Sequence, residues 1–460
     1  MGRTGQEIQW ELMKGRFNAG AGRVVEIGAG RSHDADTEFL YEVGRLLVRE
    51  EHGAAVRDIL ARVYLLPTRR DRELDRTSPQ GRPRPTEEPV VEPVIAGVRT
   101  IRLELTDDRN DDLRGYDTIR ALRLVLDGGS VEVVDPSRPD QRRTEVIEGL
   151  GAGAVSLNHV VHISGNGGGC PAVEPEPVPA GSPPDPGHPT DRGAGEGVKV
   201  VVVDTGFDPE AAARIPWLAG VTGQPDPGVD TANHTINEYA GHGTFIAGVV
   251  RGVAPRAEIH VRSVFNFGGG VLESDLVQAL DVALDCHYPD VISMSAGTYT
   301  YDASGLLTFQ VFHERRLSHH KGVVLVVAAG NDSDRKPFWP AAAPYTVSVG
   351  ALAATGRGRA GFSNFGGWVD VYAPGQDLVN AFPTGTYTYR EPPYDNPPRV
   401  ETFHGMARWS GTSFSTPVVA GLIAARMSKT GENGRAAAKA LVKEARKQAQ
   451  PGVGAILLPE

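Results

Sequence analysis

The chain has 460 residues, 40% hydrophobic and 23% charged, which suits a globular protein of two or three domains with a substantial core. A net charge of −10 gives no basis for a nucleic-acid partner. No apolar stretch approaches the roughly 18 residues of a membrane-spanning helix, and two cysteines, Cys170 and Cys286, exclude a disulfide framework.

The opening residues, "MGRTGQEIQWELMKGRFNAG", lack the apolar core and small-residue cleavage site of a secretory leader. Two free thiols and a cytoplasmic location are therefore expected, with export by another route left open. "RVVEIGAGR" (Arg23 to Arg31) has the Gly-x-Gly form of a methyltransferase cofactor loop, but no ribose-binding acid follows at the expected place. "TEFLYEVGRLLVREEHGAAVRDILARVYLL" (Thr37 to Leu66) spaces its apolar residues as a helix does. A Pro/Arg-rich stretch from Ser78 to Pro89 interrupts this half, and "VRTIRLELT" and "GGSVEVVD" have strand patterns. Residues 1–170 are thus an α+β region whose role the sequence leaves open between inhibitory pro-region, regulatory domain and recognition module. Residues 171–197 are rich in proline, glycine and charge and are expected to form an exposed linker.

From residue 198 to 460 the pattern changes. Near-continuous apolar runs, "VKVVVVD", "AEIHVRSVF", "DVISMS", "GVVLVVAAG" and "YTVSVGAL", alternate in several places with helical segments such as "ESDLVQALDVALDC". Such alternation predicts an α/β domain, a parallel sheet with helices on both faces. Ligand sites in such folds lie at the carboxyl ends of strands.

Four residues sit at predicted strand ends or helix starts. Asp204 ends "VVVDTG" and could orient a histidine; His242 stands between glycines in "GHGTFIAGVV". Asn331 ends "VVAAGN", where its amide can donate into a cleft. Ser413 opens the apolar helix of "GTSFSTPVVAG", with Pro417 expected in the first turn. Unpaired N–H groups and the positive dipole end gather at such a helix start, the field an oxyanion needs. Singly, each residue is equally well a turn or a cap. Their joint order is Asp, His, Asn, Ser, at intervals of 38, 89 and 82 residues.

With "DTG", "HGT", "AAGN" and "GTSFSTP" in that order, residues from about 195 to 450 resemble the subtilisin-like serine proteases. "WPAAAPYTVSVGA", "FSNFG" and "VDVYAPG" agree with that family. The last interval is long for it, and Thr384–Trp409 accounts for the excess as an extended loop before Ser413. The N-terminal region is outside the resemblance and does not read as the usual short inhibitory prodomain.

The resemblance implies a serine endopeptidase. Ser413 would be nucleophile, His242 general base and acid, Asp204 the partner that orients His242, and Asn331 an oxyanion donor. A peptide or protein substrate would lie between Ser293, Ser295, Ala296 and Gly297 on one wall and Phe267, Gly268 and Gly269 on the other, pairing as an added strand. "SMSAG" has Ala296 where the family has a Leu-Gly-like end, narrowing the pocket. "NDSDRKPF", after Asn331, puts an acid and a base near the same pocket. No cofactor is expected for catalysis, and no acidic loop matches a calcium motif well enough to place a structural ion. No membrane partner is expected, and intramolecular regulation by the N-terminal region is one of the roles left open. The same residues would also serve a peptide ligase or macrocyclase, and a protease fold without activity would serve as a binding module.

Overall fold

The computed structural model describes residues 10–11, 13–15, 17, 25–31, 38–64, 91–103, 111–135, 138–163, 173–187, 189–265, 268–302, 304–390 and 397–459. Cys170 and Phe267 lie outside these residues.

The apolar runs of the second half form a seven-stranded sheet. Its order is Thr222–Gly223, Glu258–Ser263, Lys199–Asp204, Val291–Met294, Val324–Ala328, Thr346–Leu352 and Val371–Pro374. Every neighbouring pair is parallel. Alternate residues of one strand face opposite sides, which is why the runs are apolar throughout. Val200 and Val202 pack with Phe245, Ile246 and Val418 of the His242–Val253 and Thr412–Thr430 helices. Val201 and Val203 pack instead with Leu276, Val277 and Leu280 of the Glu273–His287 helix. Strand order reverses at Lys199–Asp204, so a crevice opens at the carboxyl end of that strand, beside Asp204.

The N-terminal region forms an antiparallel sheet in the order Val155–His162, Glu38–Arg49, Val98–Arg102, Val91–Ile95, with Ile27–Arg31 also on Glu38–Arg49. Helices Gly53–Tyr64 and Asp111–Asp127 supply core residues such as Val56, Leu60, Leu122 and Val125. The expected helix over Thr37–Leu66 is therefore half strand: Glu38–Arg49 is extended and the helix begins at Gly53. Glu38–Arg49 is a central strand buried on both faces, and its long apolar run mimics helical spacing. The Gly-x-Gly of Arg23–Arg31 lies in the strand Ile27–Arg31, with Gly28 and Gly30 beneath the rings of Tyr41 and Phe39; it is no cofactor loop.

Two further expectations change. Thr384–Trp409 belongs to a hairpin, Leu378–Thr388 paired antiparallel with Val400–Trp409. The linker is packed where it is described. Glu176–Pro177 adds to that hairpin as a strand, Arg399 grips the Glu176 carboxylate through both Nη atoms (2.9 and 2.8 Å), and Tyr389 Oη donates to the Pro175 carbonyl at 2.6 Å. Composition marked the segment as unable to build its own core, but the hairpin gives it one to lie on.

Candidate active site

Asp204 ends its strand fully buried, and its Oδ1 accepts from the Thr205 N–H at 2.8 Å. The same oxygen is 2.7 Å from His242 Nδ1. Oδ1 thus fixes the ring tautomer, with Nδ1 as donor and Nε2 left as the basic nitrogen. His242 is the first residue of its helix, after Gly241 at φ +82°, a left-handed turn suited to glycine. The rings of Trp409 and Phe414 stand 5.4 and 5.3 Å from the imidazole, sealing it from solvent. His242 Nε2 makes no hydrogen bond among the described residues.

Asp226, absent from the sequence reading, ties these pieces together. Its Oδ2 accepts from Thr205 Oγ1 at 2.7 Å and from the Gly241 N–H at 2.8 Å, and its Oδ1 accepts from the Gly228 N–H at 2.9 Å. Thr205 Oγ1 accepts in turn from the Gly243 N–H. One carboxylate therefore clamps the residue after Asp204 to the residue before His242. Burial pushes the Asp226 carboxyl up to about 6, with the charge of Asp204 adding to the rise.

Ser413 lies in the first turn of the Thr412–Thr430 helix, almost fully buried. Pro417 sits one turn further in than the sequence suggested, inside the helix. It has no N–H to give the carbonyl four residues back, which is that of Ser413. Ser295 Oγ donates to that carbonyl instead, at 2.8 Å.

Asn331 is anchored by its carbonyl end. Oδ1 accepts from both the backbone N–H and Oγ1 of Thr412, each at 2.9 Å, and Thr412 Oγ1 accepts from the Gly330 N–H. With Oδ1 held, the Nδ2 end is the donor end. Thr412 thus fixes Asn331 beside Ser413.

Ser413, Thr412, Asn331, Ser295, Ala296 and Phe338 line one narrow pocket. His162 and Ile163 of the N-terminal region line it too. His162 and Gly297 exchange two backbone hydrogen bonds, of 3.1 and 3.0 Å, and Ile163 N–H donates to the Gly269 carbonyl at 3.0 Å. Gly270–Leu272 pairs antiparallel with Val160–His162. The last N-terminal strand therefore fills the trough between the two walls expected for substrate. Where the described chain resumes, the Val173 carbonyl accepts from Trp409 Nε1 at 2.7 Å. Two buried polar pairs hold the two units together, Asn158 Nδ2 donating to Ser274 Oγ at 3.0 Å and His159 Nδ1 standing 3.0 Å from Glu273 Oε2, and at the surface Arg49 grips Glu314.

Of the other expected wall residues, Ser295, Ala296, Gly297 and Gly269 lie where a substrate strand would run, and Gly268 adjoins Gly269. Ser293 lies within the central sheet between Val202 and Val326, its hydroxyl buried and off the pocket lining. In "NDSDRKPF" the charges are held locally: Asp332 accepts from Tyr299 Oη at 3.0 Å, and Asp334 accepts from the Arg335 and Lys336 N–H groups. The aromatic Phe338 is what reaches the pocket. Cys286 is an exposed free thiol. Among the described residues no cluster of His, Cys, Asp and Glu fit for a metal ion occurs, and no helix is long and apolar enough to cross a membrane.

A buried carboxylate, an imidazole and a helix-borne serine thus follow from the ends and starts of elements around the switch point of a parallel sheet. The subtilase family model matches residues 195–455, more than half of the chain, and the chain belongs to that family. A subtilisin-like protease of Coccidioides posadasii is 31% identical over 245 residues, covering 50% of this chain and 52% of the relative. The thermophilic serine proteinase of a Bacillus species (strain AK1) is 32% identical over 248 residues, covering 52% and 53%. The chain spans about half the length of the curated relatives it matches. Among solved structures, a cold adapted subtilisin-like serine proteinase is 23% identical with a TM-score of 0.43, covering 58% of this chain and 90% of that one.

Proposed function

We propose that the chain is a serine endopeptidase held in check by its own N-terminal region. The observation that carries the first part is the buried Asp204–His242 pair, 2.7 Å apart, with the His242 ring 5.3 Å from that of Phe414, the residue after Ser413, and Ser413 and Asn331 lining one pocket. His242 Nε2 takes the Ser413 hydroxyl proton as Oγ attacks the substrate carbonyl, and Asp204 stabilises the imidazolium that forms. The Asn331 Nδ2 and the Ser413 backbone N–H donate to the oxyanion. His242 then protonates the leaving amine, and water, deprotonated by the same nitrogen, releases the acyl group.

The second part rests on the Val160–Ile163 strand. It makes the backbone bonds to Gly269 and Gly297 that a substrate strand would need. Tethering gives it an effective concentration in the millimolar range, so it excludes most competitors.

Intact mass over time, on wild type and Ser413→Ala, tests both parts. Wild type should label with a fluorophosphonate and cut itself between Ile163 and Val173, while Ser413→Ala does neither. Sequencing the products of a peptide substrate separates hydrolysis from transfer to an amine. Labelling at Ser415 in place of Ser413 would remove the nucleophile assignment.

A further inference from the structure

The carbonyl attacked by Ser413 belongs to a residue whose own side chain must enter the pocket beside Asn331 and Ala296. Phe338 stands in that pocket. Its ring lies between two glycines, Gly297 on one wall and Gly330 on the other. A Cβ on Gly297 would collide with Phe338 Cε1, and one on Gly330 would stand 3.0 Å from Cδ1. Both walls thus lack side chains where the ring passes. The ring is also fixed from behind. Tyr299 meets it edge-on at 5.1 Å, and Tyr299 Oη is held by Asp332 and by Asn364 Nδ2. The backbone next to it is pinned by two Thr298–Trp339 hydrogen bonds of 2.8 Å. Swinging the ring aside for a large substrate side chain would break this packing.

We infer that Phe338 is the specificity-determining residue of this site, closing the pocket so that the residue before the scissile bond must be small: glycine, alanine or serine. The chain's own sequence agrees. Ile163 is followed by Ser-Gly-Asn-Gly-Gly-Gly, in which nothing is larger than asparagine. This inference rests on the peptidase reading above and adds its substrate class.

The test uses the protein once its self-cleavage has run to a constant mass, at the same dilution throughout, with active sites counted by fluorophosphonate titration. Substrates are anilides of Val-Val-His-Ile-X, with X as Gly, Ala, Ser, Leu or Phe. Wild type should favour Ala or Ser over Leu and Phe by about 10²-fold or more, beyond the 10- to 200-fold worth of one methylene only where overlap is severe. Phe338→Ala should raise the Phe-to-Ala rate ratio by at least about tenfold, and Phe338→Leu, which keeps more of the packing, should raise it less. An enzyme that labels and cleaves yet accepts Phe as well as Ala overturns the pocket assignment alone. An unchanged ratio in both variants does the same. No labelling and no Ser413-dependent cleavage of any anilide overturns the peptidase reading and this inference with it. Should Phe338→Ala fail to fold, the wild-type profile and Phe338→Leu decide.

Discussion

Ser295 Oγ donates to the Ser413 carbonyl at 2.8 Å, where Pro417 leaves a gap in the helix's own ladder. The proline breaks the bond that would tie Ser413 only to its helix, and the serine ties it across to the pocket wall. Ser295→Ala should then strand a buried carbonyl, costing about 1–3 kcal/mol and lowering turnover as Ser413 loosens. Pro417→Ala restores an N–H, so the double variant should recover part of both losses. Thermal melting, with initial rates on a small peptide ester, checks this; a double variant no better than Ser295→Ala would show that the gap is not what Ser295 fills.

Asn331→Ala should lower kcat by about 10²–10³ with little change in KM, as expected for a donor used in the transition state. Thr412→Val should act through the same amide, because it removes the Oγ1 bond that holds Asn331 Oδ1. Its loss should be smaller, and the double variant should lose little more than Asn331→Ala alone. Additive losses would separate the two residues.

The buried Asp226 makes a statement about pH. Its carboxyl is raised from 3.8 to about 6, so below pH 6 the folded chain holds a proton that the unfolded chain gives up near 3.8. Its contribution is fully present below about pH 3.8 and is lost as pH rises through about 6, worth at most about 3 kcal/mol for a shift of this size. Urea midpoints in a Ser413→Ala background, with and without Asp226→Asn, should show the asparagine chain gaining on the aspartate chain from pH 4 to 7. A difference that stays flat would place the ionised carboxylate at no disadvantage in the fold.

His162→Pro removes the N–H that donates to Gly297. The variant should hydrolyse a small ester faster at early times than the parent chain, with KM lowered more than kcat is raised. Equal rates would free the Val160–Ile163 strand of any restraining role.

The parallel sheet was legible because strands buried on both faces are written as unbroken apolar runs, and Asp204, His242, Asn331 and Ser413 stood where those runs ended or their helices began. The same signal failed for Glu38–Arg49: a strand apolar on both faces and a buried helix look alike over twelve residues. Tertiary partners explain the remaining misses. Nothing local marks Asp226 as a clamp, since two of its three donors, the ones it ties together, are 15 and 21 residues away. Phe338 was hidden inside a charged stretch, and the glycines that make room for it lie on other segments. The linker followed its composition, but composition does not reveal that a hairpin more than 200 residues later offers it an edge.

The two anchored ends of the chain at the crevice carry a consequence for how activity would be seen. Ile163 is bonded to Gly269, and Val173 is fastened to Trp409. A nick between them separates nothing at once, because both flanks stay paired and the N-terminal unit keeps its contacts with Ser274, Glu273 and Glu314. At high concentration the nicked protein should elute from a sizing column as the intact one does and fall into two pieces on denaturation. What the nick changes is the law of the restraint: an intramolecular block, indifferent to concentration, becomes a two-body complex that dilution dissolves. Specific activity should then climb as the sample is thinned.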